Sequence, residues 1–436
     1  MSHYKPYPAY KDSGVEWLGK VPEHWELARF DAKSTTHRDS IDADRLTGLR
    51  VLHYSIPAVQ ELGHGQEEDG SEIDSNKLII NQKQLLVSKL NPHKQTLVVA
   101  DKSESFLTVA STEFVPLIPV AADLAYITYV WSSAYCQHYL LARCESSTRS
   151  HQRVAPSDIT RMPWAWPALD EQKAVVSVLN RETARIDALI EKKTRFIELL
   201  REKRQALITH AVTKGLDPNV KMKDSGVEWL GEVPEHWGVR SFKHLAGIRY
   251  GIGEPPAYKA EGTPLIRATN VDAGCIRSEG LVYVDPADIP DKRIIWLAPG
   301  DIIVVRSGAY TGDSAIVQEH HCPAIAGFDM VVSPKCVNPF FLQYALLSRY
   351  LKSNQIDLEK MRAAQPHLNA EELGSCFVLL PPPIEQESIV AFLDHSTKRV
   401  DGVISKTLLS IDLLKERRSA LITAAVTGQI DLREAV

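Results

Sequence analysis

The chain lacks any run of the roughly 18 to 20 apolar residues needed to cross a bilayer. Its opening, MSHYKPYPAY, sets no apolar stretch behind a basic start, so it does not read as a secretory signal. There is no GxxxxGK(S/T) phosphate loop and no glycine-rich turn leading from a strand into a helix. The sequence therefore offers no seat for a nucleotide-driven motor or a dinucleotide. The six cysteines (Cys136, Cys144, Cys275, Cys322, Cys336 and Cys376) include no C-x-x-C pair. Reduced thiols in a cytoplasmic protein are expected, with no zinc cluster. Positive charge is also scarce. The 436 residues carry a net charge of −5. Residues 31–168 hold 13 Lys and Arg against 16 Asp and Glu, and residues 243–380 hold 13 against 15. Phosphate neutralisation supplies most non-specific DNA affinity, so any DNA role must rest on local basic clusters and on help from partners.

What the chain does have is duplication. KDSGVEWLGKVPEHWELARF (11–30) returns as KDSGVEWLGEVPEHWGVRSF (223–242), identical at 15 of 20 positions. A second pair follows: EQKAVVSVLNRETARIDALI…LLREKRQALITHAVT from Glu171, and EQESIVAFLDHSTKRVDGVI…LLKERRSALITAAVT from Glu385. The segments between the paired blocks do not repeat. Two matched frames carry two unlike inserts, as expected of a reader of two different things.

Residues 171–213 contain neither proline nor glycine. Val175, Leu179, Ile186, Ile190, Ile197, Leu200 and Leu207 recur at alternating steps of four and three, with Thr183, Lys193 and Arg204 in the missing places. That spacing predicts a coiled-coil helix about 65 Å long at 1.5 Å per residue. Ile389, Leu393, Val400, Ile404, Ile411, Leu414 and Leu421 repeat it, with Thr397, Thr407 and Arg418 in the gaps, so two matched seams are expected to face each other. Phe196, Leu199, Phe392 and Leu413 widen the stripe towards the globular parts. Asp170 is placed to cap the first helix, Pro381–Pro383 to stop what precedes the second, and Gly215 and Gly428 to end them.

The second insert reads as short strands (262–266, 281–284, 294–297, 301–305 and 315–317) separated by turns such as Pro299-Gly300-Asp301, then a helix from Asn338-Pro339 through Tyr350. The first insert carries a helix over 124–142, and its opening part, 31–80, departs from the second insert's pattern. Trp17, Trp25, Trp229 and Trp237 are expected to pack where the chain enters each insert.

This arrangement resembles the specificity subunit of type I restriction–modification enzymes. The marks are WLGxVPEHW before each insert, PxxxEQ opening each helix, and LL(R/K)E(K/R)RxALITxAVT closing it; TPLIRATNV and PGDIIVVRSGAYTGDSAIV look like target-recognition signatures. The resemblance implies an α+β fold, with two globular mixed α/β target-recognition domains joined by two long antiparallel coiled-coil helices in a pseudo-twofold repeat. The boundaries it suggests are 1–166 and 216–381 for the domains, and 167–215 and 382–436 for the spacer helices. It implies a non-catalytic subunit that recognises a bipartite asymmetric DNA site, one half per insert. Its partners would be double-stranded DNA and two methyltransferase subunits, with room for two restriction–translocase subunits. S-adenosylmethionine, ATP and magnesium would belong to those partners, with no cofactor or metal in this chain and no membrane. Two other readings stay open: a coiled-coil scaffold whose inserts bind proteins, and a standalone DNA-modifying enzyme.

Base readout favours Arg or Lys towards guanine and Asn or Gln towards adenine, carried on loops. In the first insert the candidates are Lys89, Asn91, His93 and Lys94 (beside Gln95), and Arg149, His151, Gln152 and Arg153. In the second they are Arg267 and Asn270; Arg306, Ser307 and Tyr310; and Arg362, Gln365 and His367. Signals for catalysis are weak. Asn338-Pro339-Phe340-Phe341 misses the second proline of an amino-methyltransferase motif and is better read as a helix start. Tyr250-Gly251-Ile252-Gly253 runs into two prolines, and His320-His321-Cys322 has no second ligand pair.

Overall fold

The computed structural model describes residues 4–146, 152–227, 229–360 and 366–433. The chain divides into two units: Met1–Lys193 with Leu409–Val436, and Thr194–Leu408. The long helices run Leu169–Lys214 and Pro383–Val426. Each unit therefore owns the beginning of one helix and the end of the other. The first helix starts slightly earlier than its capping signal suggests. The Gln172 amide already bonds the Ala168 carbonyl at 2.9 Å, which puts Asp170 inside the first turn. Gly215 and Gly428 end the helices with φ of 77° and 72°, a backbone region that glycine enters without a side-chain clash.

The seam follows its spacing in part: Ile190, Leu200, Leu207, Ile404 and Leu414 are only half-buried. Val175, Leu179, Ile186, Ile197, Ile389, Leu393, Val400, Ile411 and Leu421 are buried. The polar gaps are satisfied internally: Thr183, Thr397 and Thr407 donate to the carbonyls of Leu179, Leu393 and Val403 at 2.7, 2.7 and 2.8 Å. In the first unit Arg418 pairs with Asp187 at 2.9 Å, and in the second Arg204 pairs with Asp401 at 2.9 Å. In both, a residue early in neither helix but past the middle of one meets the other helix's first half, so the helices run antiparallel. Phe196, Leu199, Phe392 and Leu413 do not widen the seam; they are exposed.

In the first unit a four-stranded sheet has the order 97–100, 84–88, 114–119, 34–35, and a five-stranded sheet the order 40–41, 77–79, 107–111, 50–54, 66–69. The helix expected over 124–142 breaks into Leu124–Trp131 and Ala134–Leu141. Ser133 leaves helical geometry at the break, and the Gln95 side-chain amide bonds the carbonyls of Trp131 and Ser133, both at 2.9 Å. The second unit has a four-stranded sheet (246–250, 330–334, 302–304, 314–316) and a three-stranded one (282–284, 263–266, 325–326). The segment 294–297 forms no strand. A three-residue turn, Asp291–Arg293, and Pro299-Gly300 leave it room for one bridge, Trp296 to Ile325. The extra strands over 31–80 account for the first insert's different opening.

The repeated blocks are keystones of each core. In the first unit Glu171 accepts from the Tyr7 hydroxyl at 2.7 Å and the Trp25 indole N–H at 3.0 Å, with His24 Nε2 at 2.8 Å. In the second, Glu385 receives Trp237 at 3.1 Å and His236 at 2.8 Å. The neighbouring glutamines finish the joint. Gln172 bonds the Pro167 carbonyl at 2.9 Å and the Asp123 amide at 2.8 Å; Gln386 bonds the Pro381 carbonyl and the Asn338 amide, both at 2.8 Å. The end of the opposite helix closes each core: Leu421, Ile422, Ala425 and Val426 join Trp25 and Trp166, and Ile208, Ala211 and Val212 join Trp237 and Phe341. Trp229 departs from its three counterparts and is 45% exposed. Trp17 packs 5.1 Å from Tyr139 and 6.0 Å from Trp164, but the strand position of Trp164 is held by the smaller Val378 in the second unit.

Candidate nucleic-acid interface

In the first unit the strand ending at Ser88 leads into a loop held by two left-handed residues, Asn91 (φ 50°) and Gln95 (φ 46°). This loop meets the segment at Gln152-Arg153, some 60 residues further on. The Asn91 amide donates to the Gln152 carbonyl at 2.7 Å, and the Gln152 amide returns to Asn91 Oδ1 at 3.3 Å. His93 Nδ1 lies 3.3 Å from Gln152 Oε1. Two candidate clusters thus become one surface. Not all of its charge is available. Arg153 is ion-paired with Glu113 at 2.9 Å, and Lys94 donates to Gln60 at 3.2 Å. Lys89 is half-buried, and its ammonium has no ion-pair partner among the described residues. Arg149 and His151 lie outside the described residues.

In the second unit three loops converge. The Leu368 amide donates to the Arg306 carbonyl at 2.8 Å, and Ser307 bridges His367. Arg267 is anchored through Nη2 to the Gly280 carbonyl at 2.9 Å, near the Tyr258 ring. Beneath them Asp329, buried, accepts from the backbone N–H of Arg306 at 3.3 Å and also from that of Ala268. Burial pushes its carboxyl above the usual range, and these N–H groups and the Arg306 charge oppose that rise. Tyr310, 53% exposed, tops the loop, whose Thr311 hydroxyl turns inward to the Gly308 carbonyl at 2.7 Å. Arg362 and Gln365 lie outside the described residues.

Asn270 has to be withdrawn as a base-reading candidate. It is 0% exposed, its amide donates to the carbonyls of Arg277 and Glu279 at 3.3 and 3.2 Å, and its oxygen accepts from the Arg267 amide. Its polar groups build the loop and leave nothing for a base. Conversely, the sequence alone does not mark Tyr250, Tyr258, Phe328 and Asp329 as DNA-reading residues. Their aromatic and acidic types are common in cores, and only the fold brings them beside Arg267 and Arg306.

The weak catalytic signals have structural explanations. Asn338 caps the helix Pro339–Leu347, accepting from the amides of Phe340 and Phe341 at 2.9 and 3.2 Å. Gly251 is required by close packing, since a methyl there would collide with the Gly327 carbonyl. Among the described residues no group of three or more His, Cys, Asp or Glu side chains could hold a metal, and no cysteine is in a disulfide. No helix among them is long and apolar enough to cross a membrane.

Residues 254–408 match the family model for the type I restriction modification DNA specificity domain. The chain is 23% identical over 425 residues to the type I restriction enzyme MjaVIII specificity subunit of Methanocaldococcus jannaschii, covering 95% of both proteins. It is 19% identical over 418 residues to the EcoKI specificity subunit of Escherichia coli K12, covering 89% of this chain and 87% of the relative. Over nearly its whole length the chain is thus similar to type I specificity subunits. A solved structure, described as the structural basis of complex assembly and conformational transition of the type I R-M system, shares this fold. It has a TM-score of 0.73 at 17% identity, over 94% of this chain and 99% of that one. The specificity-domain match spans the Arg267 and Arg306 loops and the first part of the second long helix. Both of these relatives are named as specificity subunits.

Proposed function

We propose that each globular unit reads one half of a bipartite, asymmetric DNA site, and that the paired helices hold the two halves at a set separation. The observation that carries this reading is the pairing of like frames with unlike loops. Glu171 and Glu385 anchor near-identical joints. The surfaces they support differ: Asn91, His93 and Gln152 in one unit, Arg267, Arg306 and His367 in the other. Identical frames give matched placement, whereas unlike loops give unlike sequence preference.

The net charge of −5 argues that partners supply much of the phosphate contact. Two methyltransferase subunits, holding S-adenosylmethionine, would dock on the helices, where Phe196, Leu199, Phe392 and Leu413 lie exposed. Restriction subunits with ATP and magnesium would join the same cytoplasmic assembly. The test is mapping of methylated adenines in cells carrying the chain and its partner subunits, with binding to target and scrambled duplexes at two salt concentrations. A single two-part motif, and binding by the pure chain that tightens when the partner is added, are expected. Methylation without a two-part motif would overturn the reading.

A further inference from the structure

We propose that Arg306 reads a guanine in the half-site of the second unit, and that Phe328 and Tyr250 are the positioning residues that set its guanidinium for that contact. This rests on the reading above of the second unit as a DNA reader.

The guanidinium carbon of Arg306 lies 3.6 Å from the centre of the Phe328 ring and 4.9 Å from that of Tyr250. A planar cation stacked on aromatic faces keeps its plane fixed, where a solvated arginine samples many rotamers. The rings are themselves anchored. The Tyr250 hydroxyl accepts from the Ala370 amide at 2.9 Å, and Phe328 sits between Gly327, whose amide bonds the Ile266 carbonyl at 2.8 Å, and the buried Asp329.

The guanidinium of Arg306 also makes no ion pair of the kind that other basic residues make. Arg153 has Glu113, Arg277 has Asp272, and Lys259 has both Asp285 and Asp288. The guanidinium of Arg306 has no ion-pair or hydrogen-bond partner among the described residues, and its Nε is shielded from solvent without one. The nearby Asp329 carboxylate feels the Arg306 charge, but the hydrogen bonds it accepts come from the backbone N–H groups of Arg306 and Ala268 and not from the guanidinium. A shielded donor without a partner is costly, so the shielded Nε fixes the fork without itself being offered to a ligand.

A fixed fork of N–H groups selects among bases. In the major groove guanine alone presents two adjacent acceptors, N7 and O6. Adenine pairs one acceptor with a donor, cytosine offers a donor, and thymine offers one acceptor beside a methyl. A phosphate contact requires the charge but not the fixed plane.

The test uses the full chain assembled with its methyltransferase partner, comparing the parent with R306K, R306A and F328L. Methylated sites are mapped first, then duplexes carrying each single base-pair change in the half-sites are compared for binding at two salt concentrations. The expected result is one G·C pair, in one half-site only, at which R306A and R306K lose discrimination by about tenfold or more. F328L should lose part of the discrimination at the same pair while keeping the salt dependence of the parent. Uniform weakening on all sequences, with the salt slope reduced by about 1, would make Arg306 a phosphate contact and overturn the inference while leaving the two-unit reading intact. Relaxation at an A·T pair would also overturn the guanine assignment alone. Relaxation of neither half-site would overturn the inference alone, whereas substitutions that relax both half-sites together would count against the second unit as a reader, and the inference would fall with it.

Discussion

Trp25 and Glu171 lie 146 positions apart in the chain, and the indole N–H of one donates to the buried carboxylate of the other at 3.0 Å. Trp237 and Glu385 repeat the bond at 3.1 Å. The joint ties the block that enters each insert to the helix that leaves it.

Removing the carboxylate should therefore destabilise both units, unequally. The Glu171 side chain is 8% exposed and that of Glu385 28%. Glu171→Ala strands the Tyr7 hydroxyl and the Trp25 N–H in a buried site, at a cost of about 3 kcal/mol. Glu385→Ala should cost about 1 kcal/mol less, because water can reach its partners. Denaturant unfolding followed by tryptophan fluorescence checks the order, and equal losses would contradict it.

Acid should weaken the first unit through His53. Burial lowers its pKa below the usual 6.5, despite the bond to Glu68 at 2.9 Å. The unfolded chain then binds a proton that the folded chain refuses, so stability is full above pH 6.5 and falls as pH drops below it. His53→Gln should flatten that fall between pH 6.5 and 5. An unchanged pH profile in thermal unfolding would show that His53 is not the group responsible.

On the helices, burial should matter more than ion pairs. Ile411→Asp sets a charge in a buried seam position and should cost about 3 kcal/mol or more. Asp187→Ala breaks the pair with Arg418, whose partners are 51% and 38% exposed, and should cost no more than about 1 kcal/mol. Both variants can be measured by the same denaturant titration.

The helices as a ruler give a further expectation. Lengthening only the end of the first helix near Lys214 would disturb Ala211 and Val212, which are packed in the second unit's core. Stability should fall without a change of spacing. Four residues added after Lys193 and four after Leu408, where the units divide, would lengthen both helices by about 6 Å at 1.5 Å per residue. That is about two base pairs at 3.4 Å each, with a residual rotation of about 40°. Methylome sequencing should show the same bases in each half and a longer gap between them; an active variant with an unchanged gap would sink the ruler.

The sequence by itself determined what depends on local pattern. The four–three spacing of Val175, Leu179 and Ile186 gave the long helix, Gly215 and Gly428 gave its stops, and Asn338-Pro339 gave a helix start, because burial of one stripe and capping are decided within a few residues. Repetition of the blocks also determined that two like frames exist. Tertiary structure decided what depends on distant partners. It placed the end of the second long helix, Leu421 to Val426, in the first core beside Trp25, an assignment that linear order puts elsewhere. It broke the helix at Ser133, where Gln95 satisfies the freed carbonyls. It buried Asn270, left Trp229 exposed where Trp164 gives way to Val378, and brought Phe328 and Tyr250 onto Arg306. A side chain's type sets which contacts it can make, and only the packed neighbours set which of them it has left to offer.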